Sequence, residues 1–310
     1  MTPADDTRTE VQRAAADRIG RVGVWTFTLD TQPWSQAADT AAEIESLGYR
    51  AIWVPETVGR DALVNSTLIL GATRTIGVAT GIASIYGRDA VAMACGQKAV
   101  AEAFPGRFLL GLGVSHAPMV QGLRGHSYEK PVETMRAYLE KMDASPYMAA
   151  APQETPPRVL AALGPRMIGL ARDLAAGVHN YLVPPEHTAY ARERLGPGPV
   201  LAPEQAVCFA ADAEEGRRIA RGHLRGYLRL PNYVNNLRRL GFSEDDIAGE
   251  GSDRLVDAIV AWGDEEAIAA RVRGHLDAGA DHVCIQVLGA QLTTVPVDDW
   301  RRLAPAVTGL

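Results

Sequence analysis

The stretch "TIGVATGIASIYGRDAVAMA", residues 75–94, changes period halfway along. Its first half is small and β-branched, the composition of a strand. From Asp89 onward, "DAVAMACGQKAVAEAF" spaces its apolar residues as a helix does. Gly81 lies inside the strand pattern, and a Tyr-Gly-Arg-Asp corner, Tyr86 to Asp89, stands where an ordinary polar turn would serve. A glycine within a strand marks a bulge, a bend, or the close approach of a ligand or another backbone. Which of these applies depends on the flanking sequence.

The same strand-then-helix unit recurs on both sides. "RVGVWTF" and "PWSQAADTAAEIESLG" precede it, then "YRAIWVPE" and "DALVNSTLILGATR". It is followed by "GRFLLGLGV" with "PVETMRAYLEKMDA", "PRVLAAL" with "PRMIGLARDLA", and "GVHNYLV" with "PEHTAYARERLG"; "EQAVCFAA" and "DHVCIQVL" supply two more strands. Strands separated by helical stretches indicate parallel pairing through right-handed crossovers. Eight of them fit a closed (β/α)8 barrel. The rival, an open doubly wound sheet, most often carries G-x-G-x-x-G after its first strand. Here the nearest approach is "GLGVSH", residues 111–116, with His116 in the last glycine's place and after the fourth strand.

Composition bounds the rest. The 310 residues are 47% hydrophobic and 22% charged with a formal net charge of -6, which suits a globular protein and gives no electropositive footprint for nucleic acid or an anionic membrane. A small molecule is the expected partner. Cys95, Cys208 and Cys284 lie far apart with no C-x-x-C pair, and are expected as reduced, buried thiols. Residues 1–18 are polar with neither an apolar signal region nor a transit pattern, and no window reaches the length of a membrane span. The expectation is a cytoplasmic protein with a flexible tail over 1–18 and a single barrel domain over 19–310. One region departs from the spacing: between strands seven and eight lie residues 212–263, where one helix would suffice. A helical insertion is expected there. Tyr227, Leu230, Tyr233, Leu237 and Leu240 could form a stripe interrupted by Pro231, either patching the barrel or a subunit contact, or covering the site as a lid.

In this fold, reacting groups gather where strands end. That rule selects Trp25 and Phe27, Glu56 and Thr57, Gly81, Ile82, Ser84 and Tyr86, Ser115 and His116, Gly164 and Pro165, Asn180 and Tyr181, and Gln286. Each has an ordinary reading, Glu56 as a solvated turn acid and His116 as an idle loop histidine. Their shared rim raises both as titratable groups converging on one cavity. There is no H-E-x-x-H and no G-x-S-x-G, and His179 and His187 fall on different elements, which argues against zinc.

"TGIASIYGRDAVAMA", "GRFLLGLGVSHAPMV", "LAALGPRMIGLA" and "GVHNYLVPPEHT", in this order and spacing, resemble the luciferase-like monooxygenase superfamily, and within it the actinobacterial branch that uses the deazaflavin coenzyme F420. The resemblance runs from Gly20 onward. It implies a non-prolyl cis peptide at Gly81–Ile82, with Ile82 as a backstop behind the middle ring and Ser84 within reach of the ring edge. It also places the backbone of Leu163, Gly164 and Pro165 at the cofactor phosphate, and Asn180 and Tyr181 beside the ribityl-phosphate tail. Ser115 is counted with the cofactor contacts. Sugar-phosphate and alcohol dehydrogenases of this group carry an Asp-His pair after strand two; here Glu56 and Thr57 stand there, so those substrates are not inferred. His116 becomes the expected acid/base and Glu56 a cofactor-side or orienting group. The implied function is hydride transfer between C5 of F420 and a small organic substrate, in a homodimer. The alternatives are an FMN-dependent monooxygenase in the same pocket and a deazaflavin-binding barrel without catalysis.

Overall fold

A computed structural model describes residues 9–289 and 294–310. Its strands are β1 (Val22–Trp25), β2 (Ala51–Val54), β3 (Gly77–Thr80), β4 (Ala83–Ser84), β5 (Phe108–Gly113), β6 (Arg158–Ala161), β7 (Gly177–His179), β8 (Val200–Leu201), β9 (Glu204–Phe209), β10 (Ala261–Gly263) and β11 (Val283–Val287). Every pairing is parallel, in the order β10-β9-β11-β1-β2-β3-β5-β6-β7-β8, with β4 on β5.

Two of the barrel's staves are interrupted. β3 and β4 form one stave broken at Gly81–Ile82, and β8 and β9 form another broken at Ala202–Pro203. The second break hides how the circuit closes: Val178 pairs with Leu201 on one side, while Glu204 pairs with Cys284 on the other. Ala202 N–H and Glu204 N–H still donate to β7 and the residue after it, at 2.9 Å to Val178 O and 2.7 Å to Asn180 O. Pro203 gives up no hydrogen bond, since it lacks the N–H, and its carbonyl accepts from Cys284 N at 3.0 Å. Counted as staves, the eight-stranded barrel is closed, and β10 is an extra strand on the far end of β9.

The staves are buried on both faces, which is why they read as near-continuous apolar runs. Trp25, Trp53, Leu109 and Val159 fill the interior, and a larger layer joins the strands to the outer helices. Those helices start on chemistry visible in the chain. Asp61 and Asp89 each accept from two N–H groups of the first turn, and Pro131, Pro165, Pro185 and Pro231 open helices where no N–H is needed.

The expected tail over 1–18 is corrected from Glu10 onward; residues 1–8 lie outside the described residues. Glu10–Ile19 is a helix held by a Thr9–Gln12 capping box, and it packs on β3 and β5 with Ala15 and Ile19 fully buried. Its apolar stripe is only Val11, Ala15, Ala16 and Ile19, too faint to separate from a polar tail. A Cβ on Gly77 would lie 1.9 Å from Arg18 O, so this glycine is what lets the helix seat on the barrel. Gly77→Ala is expected to cost about 1–3 kcal/mol by overpacking, read as a lowered melting temperature; an unchanged melting temperature would mean that the helix is not seated there. Cys208 and Cys284 are buried as expected and Cys95 is half-buried; all three are free thiols. No helix among the described residues is long and apolar enough to cross a membrane.

Candidate active site

A cavity of about 780 Å³ opens at the C-terminal ends of the strands. Its floor is the break between β3 and β4, where the Gly81–Ile82 peptide is cis, as the resemblance implied. Gly81 O accepts from Trp25 Nε1 at 3.1 Å, Gly81 N–H donates to Val54 O at 2.8 Å, and Ile82 O accepts from Glu56 N at 3.1 Å. The glycine at 81 is required because a Cβ there would come within 2.6 Å of Trp25 Nε1. Ile82 is pressed over β5: a Cβ on Gly113 would lie 2.5 Å from Ile82 Cδ1, and one on Gly111 3.6 Å from Ile82 Cγ2. The bulge is therefore clamped from three strands, with an aliphatic side chain facing the cavity.

His179 also reaches the floor. Its ring stacks on Trp53 at 4.5 Å, and Nδ1 lies 2.8 Å from Ala202 O. A carbonyl cannot donate, so Nδ1 carries the proton, and burial drives the pKa down to about 4.

Glu56 lines the cavity, but its oxygens are committed. Oε2 accepts from Ser84 N at 2.7 Å, and both oxygens meet the Arg88 guanidinium, which also binds Asp61. This explains the unusual corner noted in the sequence: Arg88 in Tyr-Gly-Arg-Asp is the counter-ion that ties the loop after β2 to the loop after β4. Ala62 N approaches Oε1 at 3.5 Å as a fourth donor, and Glu56 is thus an orienting group for the bulge. Ser84 is corrected: it is 2% exposed, lies off the cavity, and its hydroxyl caps Tyr86 N at 3.2 Å.

Ser115 and His116 follow β5 and both line the cavity. Ser115 holds a left-handed backbone (φ 54°), and its carbonyl accepts from Tyr128 Oη at 3.2 Å. That turn aims His116 across the cavity toward Tyr233, ring to ring at 5.4 Å. Burial lowers the His116 pKa, offset in part by the Asn232 side chain, so the imidazole is neutral at pH 7.

On the loop after β6, Leu163, Gly164 and Pro165 line the cavity at the start of the helix Pro165–Leu174, whose first N–H groups lack helical partners. Leu163 O accepts from His187 Nε2 at 3.0 Å, which braces the loop from behind. Arg239 lines the cavity beside them, and a Cβ on Gly164 would lie 3.6 Å from its Nη2. Tyr181 lines the cavity as expected. Asn180 does not and is corrected: it is fully buried, with Nδ2 donating to Ala162 O. A one-residue alternation at the end of β7 sends neighbouring side chains to opposite faces, and the sequence alone did not say which residue faced in.

The region between β9 and β11 supplies what sequence reasoning missed. The helices Ala213–Tyr227 and Pro231–Arg239 cross the strand ends and put Tyr227, Asn232, Tyr233 and Arg239 on the cavity wall. Pro231, read as an interruption of one stripe, starts the second helix. The apolar stripe was legible; that two of its members are tyrosines turned toward the site was the available signal. Among the described residues no cluster could hold a metal ion.

Three comparisons bear on this arrangement. A family model described as luciferase-like monooxygenase matches residues 19–282. A protein of Mycobacterium tuberculosis named for coenzyme F420-dependent oxidoreduction is 27% identical over 120 residues, 39% of this chain and 33% of that protein, so the match spans about a third of the relative's length. Among solved structures, an F420-dependent secondary alcohol dehydrogenase bound to an F420-acetone adduct superposes with a TM-score of 0.74 at 14% identity, covering 93% of this chain and 99% of that one. The F420-dependent tetrahydromethanopterin reductase of Methanopyrus kandleri gives 0.73 at 15%, covering 94% and 99%. An FMN-bound oxygenating constituent of 3,6-diketocamphane monooxygenase from Pseudomonas putida gives 0.65 at 14%, covering 92% and 96%. At these identities the likeness is one of fold.

Proposed function

Because the chain belongs to the luciferase-like monooxygenase family, we propose that it is an oxidoreductase whose cavity takes coenzyme F420 and a small organic substrate. The observation that carries this reading is the cavity itself, with an aliphatic bulge at Gly81–Ile82 for a flat ring and a helix N-terminus with Arg239 for an anionic tail. The residues fit such a group. Gly81 keeps the floor free of a side chain that would run into Trp25, and the N-terminal turn at Pro165 offers unpaired N–H donors and a favourable dipole.

When bound, F420 supplies a ring carbon, C5, that donates or accepts hydride. The protein's share is orientation and a proton. Ile82 would support the ring, and the Glu56–Arg88–Asp61 cluster holds the loop after β2 to the loop after β4 beside it. His116, neutral at pH 7, takes the proton released when a hydroxyl becomes a carbonyl, or returns it in the reverse direction. The two helices of the insertion cover the strand ends and limit water.

Titration with F420 and FMN tests the cofactor, with F420 expected to bind about tenfold tighter or better. A preference for FMN would transfer the chain to flavin chemistry, and tight F420 binding with no hydride donor or acceptor would favour a non-catalytic carrier. The anionic end has its own test. Gly164→Leu is expected to raise the F420 dissociation constant about tenfold, the loss of one or two charge-assisted contacts, with little change in melting temperature. Unchanged affinity would remove the phosphate from that turn.

A further inference from the structure

A second, smaller cavity of about 220 Å³ lies on the other side of Trp25, which lines both. The wall between them contains a chain of three polar side chains. Tyr227 and Tyr181 face the larger cavity, and Gln286, on β11, faces the smaller one. Their atoms are in contact: Tyr227 Oη lies 2.9 Å from Tyr181 Oη, and Tyr181 Oη lies 2.8 Å from Gln286 Oε1.

The direction of this chain follows from counting hydrogens. A carboxamide oxygen has no proton to give, so the contact with Gln286 uses the one proton of Tyr181. Tyr181 is then only an acceptor toward Tyr227, and the Tyr227 proton is used as well. Tyr227 presents lone pairs to the cavity and has no hydrogen left to offer. Turning the Gln286 amide over would reverse every member: its NH2 would donate to Tyr181, Tyr181 to Tyr227, and Tyr227 would become a donor. Gln286 therefore sets, from outside the larger cavity, what Tyr227 can recognise inside it. Burial raises the pKa of all three tyrosines on this wall, Tyr181, Tyr227 and Tyr233, so they stay protonated and the count holds across the working pH range. Tyr233 packs edge-on against Tyr227 at 5.2 Å and fixes its ring.

We propose that Tyr227 is a specificity-determining residue that accepts a hydrogen bond from the hydroxyl of an alcohol-type substrate and disfavours the matching carbonyl, with Gln286 as the positioning residue that fixes this polarity. The proposal rests on reading the larger cavity as the substrate site. It would place the alcohol in the ground-state complex, with the hydroxyl proton directed at Tyr227 until His116 takes it.

Cyclohexanol and cyclohexanone, alike in shape and opposite in hydrogen bonding, are suitable probes. Their affinities are read from quenching of tryptophan fluorescence, with F420 present and absent. The wild-type protein is expected to bind the alcohol about five- to tenfold more tightly, the worth of one neutral hydrogen bond. Tyr227→Phe should remove the preference by weakening the alcohol alone. Gln286→Leu, similar in size, should free the Tyr181 proton for Tyr227, release the Tyr227 proton into the cavity, and move the ratio toward the ketone. Equal affinities in the wild type, no saturable binding of either probe, or an alcohol preference that survives Tyr227→Phe would overturn the role of Tyr227. A ratio unmoved in Gln286→Leu would overturn the role of Gln286. Failure to bind F420 with the alcohol preference intact would count against the cofactor and leave this inference standing.

Discussion

In the His116→Ala variant, turnover is expected to fall by about 100-fold or more while F420 affinity stays near that of the wild type. The split follows from position. His116 lies on the loop after β5 with its ring against Tyr233, whereas the proposed ring and phosphate contacts come from Gly81–Ile82 and the Gly164–Pro165 turn, so its loss should touch the proton and not the cofactor. The competing titratable group, Glu56, is held by Ser84 N and by Arg88, and moving a proton onto it would break an ion pair that secures the bulge. Glu56→Gln is accordingly expected to weaken cofactor binding before it alters the chemical step. The pH dependence gives a second readout. Since burial holds the His116 pKa below the ordinary histidine value, kcat for alcohol oxidation should rise along an acid limb with a midpoint below about 6.5 and be flat through neutrality. That limb should vanish with His116. Turnover that survives His116→Ala and disappears in Glu56→Gln with cofactor still bound would exchange the two roles.

The barrel was legible because its signal is repetitive. Each stave is a short apolar run, each crossover helix has an aspartate or proline at its start, and local ambiguity at one unit is corrected by its neighbours. The bulge was legible for the opposite reason, since a glycine such as Gly81 inside a strand has few explanations. What the chain hid was pairwise. Nothing in "VPET" says that Glu56 will meet Arg88, 32 positions on, and without that partner its carboxylate reads as free. Ser84 and Asn180 failed on side-chain direction, which a single step of strand register reverses. Arg239 and the tyrosines of the insertion failed on topology: their helices were expected, but which face they turned to the strand ends depends on a chain path with no periodic signature.

That same mixture of buried polar groups sets the expected acid response, the largest stability effect the structure implies. His179, His187, His275 and His282 are all within 1% of full burial, with pKa values driven by burial to about 4, 4, 3 and 3. Each neutral ring has already used its proton: His179 on Ala202 O, His187 on Leu163 O, His275 on Gln205 Oε1 and His282 on Gly20 O. A second proton would find no acceptor at His179 Nε2 or His187 Nδ1, and at His282 Nε2 it would face the indole N–H of Trp53. The unfolded chain takes these protons near pH 6.5 and the folded one does not, so stability is level above that pH and falls as pH drops toward 4. Glu204, fully buried with its pKa raised to about 8, runs the other way: the folded state keeps a proton that the unfolded chain loses above about pH 4.5, and stability declines from there to pH 8. Four histidines outweigh one glutamate below pH 6.5. At about 1.4 kcal/mol per proton per pH unit, the net slope reaches about 4 kcal/mol per unit, against a total stability of about 5–15 kcal/mol. Acid unfolding followed by circular dichroism is therefore expected at about pH 4–5, well above the range in which carboxylates alone would act. In Glu204→Gln the melting temperature at pH 8 should rise while the acid limb stays in place. A wild-type melting temperature that is the same at pH 6.5 and 4.5 would mean that these rings are protonated in the folded state, and their hydrogen-bond assignments would have to be redrawn.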